Sequence, residues 1–189
     1  LMKAAQYGYQ ALAKDLIGHG ANLEQVDKDG RTAVMVAAEW GSDEVAELII
    51  ANGGNVNHLD RNGLSAVMLA SMGGHEDSVK SLLRNGAKLT TNHDCGCTAL
   101  HLAAEMGYTS IVKTIVEAGA DVNVVNNWGV SPLMFAAQKN HFDTAKVLID
   151  SGADTTMTDV DGQDALQYYG KKTTKNALGK LFAKVAAMI

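Results

Sequence analysis

The chain has 189 residues, 47% hydrophobic and 20% charged, which is enough to bury a sizeable core and too apolar for a disordered chain. No apolar run nears the roughly 18 residues that cross a bilayer, no basic stretch followed by an apolar core opens the sequence, and two cysteines cannot build a disulfide framework. The formal charge of −5 is uneven: residues 171–189 hold five lysines (Lys171, Lys172, Lys175, Lys180, Lys184) and no acid, which leaves −10 on the rest and argues against binding nucleic-acid phosphates.

Along the chain, Gly30, Gly63, Gly96, Gly129 and Gly162 recur every 33 residues, and Gly20, Gly53, Gly86, Gly119 and Gly152 repeat at the same spacing. Two residues after the first series stand Thr32, Ser65, Thr98, Ser131 and Asp164, each just before an apolar run, as helix N-caps do. Pro132 follows its cap at the first helical position, where a missing N–H costs nothing. The spacing predicts a first helix of about nine residues, for example Ala99–Met106, and a turn at Gly41, Gly74 or Gly107. A second amphipathic helix follows, such as Ser110–Ala118, closed by the Gly119-type glycine. Alternation at Val122 and Val124 and then Asn-Asn-Trp-Gly predict an extended arm and a tight turn. Small pairs, Ala4-Ala5, Ala37-Ala38, Ala70-Ser71, Ala103-Ala104 and Ala136-Ala137, let backbones approach closely. Neither helix is long enough to persist alone in water, so neighbours must stack.

Six units follow from the period: 1–26 (incomplete), 27–59, 60–92, 93–125, 126–158 and 159–189. The last is expected to be a cap, with Tyr169-Gly170 in place of the small pair and Leu178, Leu181, Phe182, Val185 and Ile189 on one helical face. Leu1 falls eight positions into a repeat, so the chain is read as part of something longer.

Cys97-Thr98-Ala99-Leu100-His101-Leu102-Ala103-Ala104-Glu105-Met106-Gly107 and Gly119-Ala120-Asp121-Val122-Asn123 resemble the signature of the ankyrin-repeat family. The resemblance spans essentially the whole chain. It implies an all-α fold, an ankyrin-type solenoid of helix-turn-helix units with protruding β-hairpin loops. About function it says little, because one fold hosts many.

Catalysis has no foothold: there is no phosphate-cradling glycine loop, no His-Glu-x-x-His and no Gly-x-Ser-x-Gly. His75, His101 and His141 sit where the resembling family often places structural histidines. His93-Asp94-Cys95-Gly96-Cys97 contains zinc-ligand types, but one tight turn around Gly96 cannot array four ligands tetrahedrally. No enzyme activity, cofactor or metal is expected; Cys95 and Cys97 are read as exposed hairpin-tip thiols.

The resemblance implies partner binding on a concave face of hairpin tips and first-helix edges. The tip positions are Lys28, Asp29, Arg31, Arg61, Asn62, Leu64, Asp94, Cys95, Cys97, Asn127, Trp128 and Val130. The edge positions are Gln6, Tyr7, Glu39, Trp40, Met72, Gly73, Glu105, Met106, Gln138 and Lys139. Both tryptophans of the chain fall in this set. Tyr7, Trp40, Met72, Met106 and Trp128 form an expected apolar stripe. With helices about 8–10 Å apart it runs roughly 30 Å from Tyr7 to Met106, room for about nine extended residues. Glu39, Glu105, Asp29 and Asp94 against Lys28, Arg31, Arg61 and Lys139 form a mixed rim. Val36, Leu69, Leu102, Phe135 and Tyr168 share one position and are expected to be core; Met35, Met68 and Met134 share the slot of His101 and are expected to fill core.

The expectation is a monomeric, intracellular, cytoplasmic protein-interaction module. It takes an extended segment or helix of a partner protein and binds neither nucleic acid nor membrane. The alternative is a regulatory or targeting domain packing on the catalytic domain of a larger protein.

Overall fold

The computed structural model describes residues 1–90 and 93–170, and its elements follow the 33-residue period. They form two compact units, Leu1–Asp94 and Cys95–Ile189. The first contains α1 (Met2–Tyr7), α2 (Gln10–Gly18), α3 (Ala33–Glu39), α4 (Asp43–Ala51), α5 (Ala66–Gly73) and α6 (Glu76–Arg84). The second contains α7 (Ala99–Met106), α8 (Thr109–Glu117), α9 (Pro132–Gln138), α10 (Phe142–Asp150) and α11 (Ala165–Gly170). The residues read as a capping face, Leu178 to Ile189, and the terminal lysines lie outside the described residues.

The caps act as their chemistry requires. Thr32, Ser65 and Ser131 accept the amide N–H of Met35, Met68 and Met134 at 3.4, 3.4 and 3.3 Å. Asp164 accepts the Gln167 amide at 2.8 Å while the Gln167 side chain accepts the Asp164 amide. Such a cap is worth about 1 kcal/mol. First helices run seven or eight residues in α3, α5, α7 and α9, shorter than the nine expected. A left-handed residue follows: Gly74 directly after α5, Gly107 directly after α7, and Asn140, at φ 63°, in the α9–α10 turn.

The small pairs are the seam of each unit. Ala37, Ala38, Ala70, Ser71, Ala103, Ala104, Ala136 and Ala137 are all buried. α3 packs against α1 and α5 in the first unit, and α9 against α7 and α11 in the second. Met35, Met68 and Met134 are fully buried, and so is His101 in the same slot. Among the described residues no helix is long and apolar enough to cross a membrane.

The hairpins differ from the sequence expectation. Among the described residues no strand forms, only isolated antiparallel bridges such as Leu59–Ser65 and Thr158–Asp164. The organiser is an Asp or Asn three residues before the turn glycines Gly30, Gly63, Gly129 and Gly162. Asp27 Oδ1 accepts the amides of Asp29 and Arg31, both at 2.9 Å, while the Asp27 amide donates to the Arg31 carbonyl. Asp60, Asn126 and Asp159 repeat the pattern. A side-chain oxygen thus takes the amides that a strand ladder would use, and the arms stay short. Consecutive hairpins are joined by single backbone bonds, Arg61 N–H to Asp29 O in the first unit and Val160 N–H to Trp128 O in the second.

The equivalent bond from the Asn127 amide to the Cys95 carbonyl, 3.0 Å, yields a direct prediction. Gly96 sits at φ +78°, and a Cβ there would lie 2.8 Å from the backbone nitrogen of Asn127. Gly96→Ala should cost about 1–2 kcal/mol from conformation alone, with steric displacement of the neighbouring hairpin added. Thermal denaturation checks it; a variant that melts with the wild type would remove this close approach from the account.

Candidate protein-binding surface

In the first unit, Trp40 caps the end of α3 and is 55% exposed. It closes a pocket of about 370 Å³ with Met2, Lys3, Gln6, Asp27, Arg31, Val36 and Glu39. Tyr7 is exposed at the end of α1 and stacks on Tyr9, ring centroids 5.7 Å apart, with the Lys3 ammonium 5.7 Å from the Tyr7 ring. Tyr9 was missed because it lies just past the helix edge; a second Tyr two residues on was the available signal. Met72 is exposed near the end of α5, Arg61 is exposed, and Leu64 is half-buried.

Several of the rim charges pair with one another within the chain. Arg31 pairs with Glu39 at 2.7 Å, Asp27 at 2.9 Å and Asp29 at 3.5 Å. Burial opposes the Arg31 charge, but the bond it donates to Asp27 and the surrounding carboxylates hold its pKa above the ordinary value. A guanidinium in a three-carboxylate fork is a wall of the pocket rather than a steering charge. Arg31→Met should cost about 1–2 kcal/mol, because three acids are left facing one another. A urea midpoint unchanged from the wild type would contradict that role.

In the second unit, Trp128 stands on its hairpin, 54% exposed, and Met106 is exposed at the end of α7. Glu105 pairs with Lys139 at 3.1 Å, again within the rim. A pocket of about 350 Å³ is lined by Asn126, Trp128, Val130, Phe135, Gln138, Asp159, Val160, Asp161 and Tyr168. Here the sequence expectation needs correction. Val36 and Leu69 are buried, but Leu102, Phe135 and Tyr168 at the same repeat position are only half-buried. The position lies at the margin of the core, and the rings of Phe135 and Tyr168 reach past it to wall the pocket. The Tyr168 hydroxyl donates to Asp159 Oδ2 at 2.7 Å, and burial, then that bond, pushes its pKa up to about 12.

Two tip positions are also corrected. Val130 is buried, and Cys97 is 5% exposed, accepting a hydrogen bond from Asn126 Nδ2 at 3.5 Å. Burial and then the neighbouring Cys95 push the Cys97 thiol to about 12, so it stays protonated and unreactive at neutral pH. Among the described residues no three His, Cys, Asp or Glu side chains come together as a metal site.

The histidines carry structure. His75 Nε2 reaches the Glu39 carbonyl and His141 Nε2 the Glu105 carbonyl, both at 3.0 Å, tying one helix pair to the preceding first helix within each unit. His101 bridges the Thr98 amide, 3.0 Å from Nδ1, and the Val130 carbonyl, 3.1 Å from Nε2.

Stacked pairs of short helices, linked by hairpins that repeat one bonding pattern, define a helical-repeat protein. The chain belongs to the ankyrin-repeat family: the family model for ankyrin repeats (three copies) matches residues 1–93 and again 89–159. Ankyrin repeats are generally protein–protein interaction modules and are typically non-catalytic. No curated protein matches the chain.

Proposed function

We propose that this chain is a non-enzymatic protein-interaction module that takes an extended segment or helix of a partner protein along its first-helix edges and hairpins. The observation that carries the reading is the pair of half-exposed tryptophans, Trp40 and Trp128, each beside a pocket of its own unit. A stability role does not require an indole at either place, and Trp is the residue that most often dominates binding energy. Tyr7, Met72 and Met106 add adaptable apolar contacts beside the two anchors. Arg61 and Leu64 extend the surface, while the Arg31–Glu39 and Lys139–Glu105 pairs shape its walls.

The test is affinity capture from native cell lysate with wild type and a Trp40→Ala/Trp128→Ala variant of matched melting temperature. Proteins retained only by the wild type support the reading. The same set retained by both would move the binding surface elsewhere and restore the alternative, a regulatory domain packing through another face.

A further inference from the structure

We propose that Lys28 and Arg61, on two consecutive hairpins of the first unit, receive the carboxylate of an aspartate or glutamate in the partner segment. The inference rests on the protein-binding reading above and specifies the chemistry of the ligand.

The Trp40 pocket is walled by α1, by α3 and by the hairpin of Asp27 and Arg31. The carboxylates that border it are already committed. Asp27, Asp29 and Glu39 close on Arg31. Asp60, on the next hairpin, is buried, and its Oδ1 accepts the amides of Asn62 and Leu64. The cations beside them are not committed. Lys28 and Arg61 are exposed, and among the described residues neither makes an ion pair or a side-chain hydrogen bond. Residues 91–92 and 171–189, outside the described ones, contain no Asp or Glu to pair with them. On the opposite wall Lys3 is exposed too, donating to the neutral Gln6 side chain at 3.0 Å.

The two tip cations are brought together by the joint between their hairpins. The Arg61 amide donates to the Asp29 carbonyl at 3.1 Å. A Cβ on Gly30 would lie 3.0 Å from Arg61 Cγ, so the Arg61 stem lies across the hairpin that carries Lys28. A carboxylate arriving there meets two cations beside acids that are already taken. Six more acids of the unit, Asp15, Asp43, Glu44, Glu47, Glu76 and Asp77, stand on the second helices α2, α4 and α6, and no residue of those helices lines the pocket. The position that Lys28 and Arg61 share is Asp94 one repeat further on, and Asn127 and Val160 in the second unit. The cationic tips are therefore confined to the first two hairpins. Complementary charge at one end of a surface fixes the register of a docked segment more than it adds affinity.

The experiment selects binders from a random peptide library, about twelve residues long, on the full chain as wild type and as Lys28→Glu/Arg61→Glu. The wild type is expected to enrich Asp or Glu at one place in the selected peptides, and the charge-reversed variant to lose that enrichment. Peptides selected on the wild type should bind Lys28→Gln/Arg61→Gln about fivefold more weakly, and the difference should shrink in about 0.5 M salt. Both variants change exposed side chains, and melting temperatures matched to the wild type show that they fold. Selected peptides without an acidic excess, or acidic peptides that bind the Gln variant as tightly as the wild type, would overturn the proposal. Trp40→Ala on the same peptides separates the two readings. Peptides that need Trp40 but carry no acid overturn this inference and leave the protein-binding surface standing. Acidic peptides that need Lys28 and Arg61 but bind Trp40→Ala unchanged support the carboxylate site and remove Trp40 as an anchor.

Discussion

Lowering the pH from 6.5 to about 4 should cost the wild-type protein roughly 3 kcal/mol through His101 alone, and His101→Met should remove that component. His101 is buried, and burial pushes its pKa down from 6.5 to about 4, against the bond to the Val130 carbonyl. The geometry explains why the folded protein resists the proton. Nδ1 accepts the Thr98 amide, so the ring hydrogen sits on Nε2 and donates to Val130; protonating Nδ1 would break the cap. The unfolded imidazole protonates near 6.5, whereas the folded one waits until about 4. The stabilisation is therefore complete above pH 6.5 and is lost as the pH falls through that window, at up to about 1.4 kcal/mol per unit. Met is the informative replacement because the chain already uses it in this slot. Met134 Sδ accepts the Ser131 amide at 3.4 Å, as His101 Nδ1 accepts that of Thr98. The Val130 carbonyl keeps a donor in the Asn126 amide. Melting temperatures of both proteins between pH 4 and 7.5 decide it; parallel curves would contradict the assignment.

Trp40→Ala should weaken partner binding at least about thirtyfold, or about 2 kcal/mol, with a folding cost near 0.5 kcal/mol. The asymmetry follows from where the ring stands. Trp40 closes helix α3 with its backbone, while the indole is more than half exposed over the Arg31–Glu39 wall. Deleting it opens no cavity in the core beneath, which is made by Val34, Met35, Ala37 and Ala38. A partner side chain seated in the pocket would bury that indole, so the loss appears in binding rather than in folding.

The scaffold was legible because it is written in local backbone chemistry. A cap oxygen, a left-handed glycine and a small pair each impose their conformation wherever they recur, so the period of Thr32, Ser65, Thr98 and Ser131 implies the helices they begin. The shared slot of Met35, Met68, His101 and Met134 was legible for the same reason. The hairpins were less so. Asp27, Asp60, Asn126 and Asp159 recur at the same period, yet polar residues near a turn read as solvated, and nothing in their spacing says that one oxygen will hold two amides. The surface was harder still, because exposure depends on how far a neighbour's side chain reaches. Phe135 and Tyr168 share a repeat position with buried Val36 but project beyond its cover. Arg31 looked like a rim cation until Asp27, Asp29 and Glu39 closed on it, and Cys97 looked like a tip until Asn126 folded over it.

The central claim is that the exposed indoles bind a partner and do not hold the fold. The most direct measurement is dissociation constant and melting temperature side by side for wild type and Trp40→Ala, using a partner recovered by capture. The account predicts a loss of affinity of about thirtyfold or more with a melting temperature within about 2 °C of the wild type. A steep fall in melting temperature would make Trp40 part of the core, and unchanged affinity would remove the first-unit pocket from the binding surface.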